Sequence, residues 1–162
     1  MAAGLALAMA ACGESVTPGS DGGGGAGPCP ASDVFCHAHG GRRWTDERAS
    51  VTFSEATAHC ESLGGTLPGI SALRTLFVAC PATEPGGACG VTDQCASATC
   101  QTEACVGCGD GGLNVFKNEN PFWSATPNSD KPGERFVAVY RYSLIDSVVE
   151  TKTLSAYCIA PP

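Results

Sequence analysis

No stretch of this chain stays apolar for the roughly 20 residues that a helix needs to cross a bilayer, so the sequence offers no membrane-spanning helix. Basic residues are scarce too. Nine Lys and Arg stand against sixteen Asp and Glu, and only Arg42-Arg43 are adjacent. Binding to a phosphate backbone needs a stripe or cluster of such cations, so nucleic acid is not an expected partner. Also missing are Gly-x-Ser-x-Gly, His-Glu-x-x-His and a phosphate-cradling glycine loop. Without them there is no motif-level case for the hydrolase, metalloprotease or nucleotide chemistry that they carry.

What the chain has in abundance is cysteine, eleven in 162 residues. That density reads either as disulfide scaffolding in an oxidising compartment or as a metal cluster. The N-terminus favours the first. Residues 1–11 are apolar and small, and they lead into Cys12-Gly13. This resembles the end of a bacterial lipoprotein signal, in which an aliphatic residue and two small ones precede the cysteine that is acylated. Met9 takes the aliphatic place here. The resemblance implies a signal over residues 1–12, a lipid on Cys12 and a membrane partner reached through that anchor. Parity agrees: an odd cysteine in an exported chain needs an explanation, and removing Cys12 leaves ten.

Residues 13–28 hold Gly22-Gly23-Gly24-Gly25, Pro18 and no large apolar side chain beyond Val16. Such a composition cannot bury a core, and it reads as a flexible tether. A single domain then spans 29–162. Cys29 and Cys36 enclose six residues, a small loop that a disulfide could staple. Arg43-Trp44-Thr45-Asp46 is a candidate strand. Thr52-Phe53-Ser54-Glu55 has the form of a capping box, and Phe53, Ala56, Cys60 and Leu63 make one helical face, ended by Gly64-Gly65. Ile70, Leu73, Leu76, Phe77 and Cys80 predict a second helix with a buried stripe.

Periodicity stops in the insert, residues 80–120, which is rich in Gly, Ser, Thr and cysteine. A structureless loop of that length would be suspect in a compact domain unless Cys80, Cys89, Cys95, Cys100, Cys105 and Cys108 supply the order that a core does not. The last third predicts antiparallel strands. Phe122–Thr126 is one. Arg135–Tyr142 is another, with Phe136, Ala138, Tyr140 and Tyr142 on one face. Val148–Thr151 pairs back across an Ile145-Asp146-Ser147 turn, and Ala156–Ile159 closes the sheet.

This order resembles the C-type-lectin-like fold, and more narrowly the Lcl C-terminal domain family of bacterial surface proteins. The residues that carry it are Trp44, Phe53-x-Glu55-Ala56-x-x-x-Cys60-x-x-Leu63-Gly64-Gly65-x-Leu67-Pro68, Leu73-Arg74-x-Leu76, Phe122-Trp123-Ser124-x-Thr126-Pro127 and Ala156-Tyr157-Cys158. The segment from Cys80 to Cys108 is similar to the cysteine-rich insert of a lipoprotein subgroup of that family. The resemblance implies an α+β domain, two helices packed on a small antiparallel sheet with a long disulfide-rich insert. It also implies a Cys60–Cys158 bridge. The terminal arginines of many relatives are missing, so no ligand role of theirs is carried over.

Within the insert, Cys105-Val106-Gly107-Cys108 has the two-residue gap of a zinc knuckle or redox motif. A zinc site needs a second pair or a Cys/His set at matching spacing, and the remaining gaps are unsuited. His37 and His39 flank Ala38 with no evident third ligand, and His59 beside Cys60 points elsewhere on its helix. No metal and no cofactor is expected. Calcium-dependent sugar binding is unsupported as well: Glu84-Pro85-Gly86 lacks the third ligand of the lectin motif, and Trp123 is followed by Ser124-Ala125.

The expected function is therefore that of a non-catalytic, calcium-independent binding module, adhesion-like, displayed on the bacterial envelope, at the outer membrane or cell surface. Its ligand would be a glycan or an envelope protein. Loops on a rigid scaffold carry recognition, and Asp110, Asn114, Asn118 and Glu119 are the candidate contact residues. A structural envelope protein without a discrete ligand is the alternative. A metal or redox enzyme using Cys105 and Cys108 is the third reading.

Overall fold

A computed structural model describes residues 27–162. Cys12, the signal-like segment and residues 13–26 of the expected tether lie outside the described residues. The described chain is α+β. Its strands are β1 (His37–His39), β2 (Arg42–Trp44), β3 (Arg48–Val51), β4 (Pro121–Pro127), β5 (Glu134–Val139), β6 (Leu144–Val149) and β7 (Leu154–Ala156). Its helices are α1 (Phe53–Ser62) and α2 (Ile70–Arg74). Strands β1 and β2 form a separate two-stranded sheet, and the other five run in the order β3-β7-β4-β5-β6.

That larger sheet is mixed rather than antiparallel, because Phe122 of β4 pairs in parallel with Ser155 of β7. After β6, at the far edge, the chain crosses back and inserts β7 between β3 and β4. The crossover delivers Cys158 to Cys60 on α1, and the bridge implied by the family resemblance is present.

The pleat decides where the helices go. Successive side chains of a strand face opposite ways. Phe122, Phe136 and Ala138 join Ile70, Leu73 and Leu76, whereas Trp123 and Val137 join Ala56 and Cys60. So α2 and α1 cover opposite faces of one sheet. Helix α1 starts as its capping box demands: Thr52 N–H donates to the Glu55 carboxylate at 2.7 Å, and the Glu55 N–H returns to the Thr52 hydroxyl. Its chain leaves through Gly64 at φ +74°.

Three sequence expectations change. Helix α2 is one short segment, although Leu76, Phe77 and Cys80 are buried as the stripe required. The Leu76 carbonyl is taken by Val115 N–H at 3.0 Å, and Phe77 bridges to Asn114, so the insert captures backbone that a longer helix would have used. Strand β5 stops at Val139. Tyr140–Tyr142 forms a 3-10 turn, and Tyr142 is exposed rather than on the buried face. The hairpin turn is therefore at Tyr140–Ser143, with Ser143 in the left-handed region, and Ile145-Asp146-Ser147 lies within β6, paired to β5.

The insert is stapled by Cys80–Cys108, Cys89–Cys105 and Cys95–Cys100, each bridge nested inside the one before. It is not coreless. Cys89, Val91 and Cys105 are buried in the same cluster as Leu73 and Tyr140. Gly107, at φ +85°, lets this insert lie on the Tyr142 and Ser143 carbonyls, where a Cβ would collide.

Candidate functional site

Thr45 is held between the last strand and the core by two bonds to Cys158: its N–H donates to the Cys158 carbonyl, and its hydroxyl accepts the Cys158 N–H, both at 3.0 Å. This fixes the next two residues, Asp46 and Glu47, whose carboxylates serve separate networks.

Glu47 gathers the end of the insert. One carboxylate oxygen accepts from the Asn120 amide at 2.7 Å and from the Ser155 hydroxyl; the other accepts from the Asn118 amide. The Asn118 side-chain carbonyl in turn takes the Asn120 N–H at 2.8 Å. Asn114 is the pin of the same turn. Its side-chain carbonyl accepts from the Phe116 and Asn118 N–H groups at 2.9 and 3.0 Å, and its amide donates to the Tyr157 hydroxyl at 3.2 Å. Burial pushes the Tyr157 phenol up to about 12, with the Glu47 charge adding to the rise and the Asn114 bond opposing it.

The four candidate contact residues therefore separate. Asp110 and Glu119 are exposed, and each lies 4.0 Å from the Arg141 guanidinium, so they do share one surface. Asn118 is half-buried and committed to Glu47. Asn114 is not exposed at all; at 2% accessibility it serves the turn. Sequence reasoning missed Glu47, Asn120, Arg141 and Ser155. No spacing signal links Glu47 to Asn118, which stand 71 positions apart.

Asp46 gathers the other end of the chain. Its carboxylate accepts from the Cys29 N–H at 2.6 Å and lies 2.8 Å from His37 Nε2. Cys29 and Cys36 are bonded, as the short loop suggested. His37 is not a free loop histidine: it sits against that bridge, and its side chain is 9% exposed. His39 is not part of this group: its Nε2 lies 2.9 Å from the Thr75 carbonyl. A cleft of about 270 Å³ opens beside the bridge, lined by Cys29, Asp46, Glu47, Arg48, His59 and Leu63. Burial, with the Arg48 charge behind it, lowers the His59 pKa.

A second cleft, about 450 Å³, runs between the insert and β6, past Gln101, Glu103, Val106, Leu144 and Asp146. All ten cysteines of the described residues are disulfide-bonded. Cys60 is thereby unavailable to His59 as a nucleophile. Cys105 and Cys108 belong to different bridges, so their two-residue gap does not make a dithiol pair. What the Asp46–Glu47 end offers is ordered hydrogen-bonding groups on a stapled frame. No family model, no curated protein and no solved structure matches this chain.

Proposed function

We infer that this chain is an exported, lipid-tethered binding module of C-type-lectin-like architecture, non-catalytic and calcium-independent, displayed on the bacterial envelope. The observation that carries this reading is the disposal of cysteine: the ten from Cys29 to Cys158 pair among themselves, and the eleventh stands in the lipobox-like segment. Five bridges belong to an oxidising compartment, and acylation gives the odd residue a role.

The recognition surface is the edge where the insert meets β2 and the sheet. Asp110, Glu119 and Arg141 are its exposed charged groups, and the Glu47 network holds the loop beneath them. A loop ordered before binding loses little entropy when a ligand arrives. The ligand class is a glycan or an envelope protein, each suited to a polar, charged surface.

Two measurements test this. Metabolic labelling with a fatty-acid probe should mark the full chain, be blocked by globomycin and vanish in Cys12→Ala; an unlabelled wild type overturns the anchor. Binding of the full chain to glycan and envelope-protein arrays should fall at least tenfold in Asp110→Ala/Glu119→Ala. No binding to either array overturns the recognition role and leaves the structural envelope protein.

A further inference from the structure

The Cys29–Cys36 bridge differs from the Cys60–Cys158 and Cys89–Cys105 bridges in both its surroundings and its neighbours. Those two are buried in the core clusters. Cys29 and Cys36 are half-buried, belong to neither cluster, and Cys29 lines the 270 Å³ cleft. They also lie beside an imidazole: the two sulfurs and one ring nitrogen of His37 all fall within 4.8 Å of one another.

We propose that Cys29, Cys36 and His37 form a zinc site when their disulfide is reduced, so that the entry loop exchanges a covalent staple for a metal one. Zinc takes thiolate and imidazole at about 2.0–2.3 Å in a tetrahedron, so the two sulfurs part once their bond is broken, while His37 already stands within 4.8 Å of both. Asp46 supplies what such a site needs behind the first ligands. With His37 Nε2 held on the Asp46 carboxylate at 2.8 Å, Nδ1 is the ring nitrogen left for the metal. A carboxylate behind a metal-bound histidine fixes its tautomer and raises its basicity. The Phe116 ring, 5.2 Å from the imidazole, limits its rotation. The Cys36 N–H already donates to Cys29 Sγ at 3.3 Å, a bond that strengthens when that sulfur becomes a thiolate. Water takes the fourth position, and the cleft reaches the group at Cys29.

The exchange balances with a dithiol as reductant. Its two thiols give two electrons and two protons to the Cys29–Cys36 bond, yielding two cysteine thiols and the reductant's own disulfide. Zinc then displaces the two thiol protons, so binding weakens as pH falls. The site is independent of what the exposed loop recognises.

The full chain, treated with a graded amount of dithiol under inert gas and mapped for free thiols, provides the test. The Cys29–Cys36 pair should open while the Cys60–Cys158 and Cys89–Cys105 pairs stay closed and the far-ultraviolet spectrum persists. That species should bind one equivalent of zinc, and cobalt in its place should give the absorption of a tetrahedral thiolate site. Cys29→Ser/Cys36→Ser, treated alike, should bind none. His37→Ala should lose the cobalt signature, and Asp46→Asn, which keeps the side-chain shape, should weaken zinc binding about 10–100-fold. The proposal is overturned if the mapped dithiol species binds no zinc. Equal affinity in His37→Ala overturns it too, as does unfolding of the domain before this pair opens.

Discussion

Arg74 donates its Nε–H to the Thr83 carbonyl at 2.8 Å from a position only 3% exposed. The same guanidinium reaches the Val91 carbonyl and the Glu84 carbonyl, each at 2.7 Å. Three backbone groups of the insert are thus fastened to the end of α2 by one side chain whose pKa burial lowers. No carboxylate pairs with it among the described residues; the charge is met by peptide dipoles. These bonds tie a loop poor in apolar residues to α2 at three points.

Replacing Arg74 by Met keeps most of the buried volume and removes all three donors. Two of the carbonyl-bearing residues, Thr83 and Val91, are buried and would be left without those bonds. Leaving a buried carbonyl without its bond costs about 1–3 kcal/mol, so about 2–6 kcal/mol for the two, which lowers the midpoint of thermal unfolding by roughly 10 °C in a domain of this size. A loss below about 1 kcal/mol, measured by denaturant unfolding with disulfides intact, would show that water replaces the guanidinium.

The bridges should differ in worth by their span. Cys60 and Cys158 are 98 positions apart, and even with the insert shortening the ring, the chain-entropy model gives about 4–5 kcal/mol. Cys95 and Cys100 are 5 apart, and the same relation gives about 2 kcal/mol. Urea unfolding of the two paired-serine variants should reproduce that order. Equal losses would mean that native-state packing, not ring closure, sets their value.

Local chemistry was legible in the sequence, and long-range capture was not. The capping box at Thr52 is a four-residue pattern, and it appears in the structure as read. The stripe from Ile70 to Cys80 marked the right buried residues but the wrong conformation. Whether Leu76 bonds along a helix or to Val115 depends on a loop 39 positions on. Alternation through Tyr142 failed for a similar reason: the Tyr140 side chain is drawn to the Leu73 carbonyl at 3.1 Å, and the chain turns there. Asn114 looked like a solvated loop residue because nothing nearby announces Tyr157. His37 looked unpartnered because its neighbours, Cys29 and Asp46, approach from either side of a hairpin.

Alkali should unfold the domain partly through Tyr157. Its folded-state pKa of about 12 lies above the ordinary 10.0, so the fold favours the neutral phenol. The contribution is whole below pH 10 and is lost as pH rises toward 12, about 2–3 kcal/mol in all. Burial raises Tyr140 as well, so the wild-type loss is steeper than one group gives. Tyr157→Phe should give up about 1 kcal/mol at neutral pH, the Asn114 bond, and then show a shallower decline above pH 10. An unchanged slope in stability against pH would remove Tyr157 from the account.

Glu47 should control the loop above it without controlling the core. Its carboxylate accepts from Asn118 and Asn120, which are half-buried and exposed, and from Ser155, which is buried in β7. In Glu47→Ala the Asn118 and Asn120 amides turn to water, and residues 114–120 lose their attachment to the chain after β2. A charged acceptor is worth about 1.5–3 kcal/mol per bond, discounted here because Glu47 is half-exposed. A net of about 2 kcal/mol corresponds to roughly 30-fold faster amide exchange through local opening. Glu47→Gln should fall between, since its amide nitrogen would meet a donor on one side while its oxygen still accepts on the other. Exchange at Phe136–Ala138, in the middle of the sheet, should not change in either variant. If those amides speed up together with 114–120, the carboxylate is holding the whole domain, and the loop has no separate opening of its own.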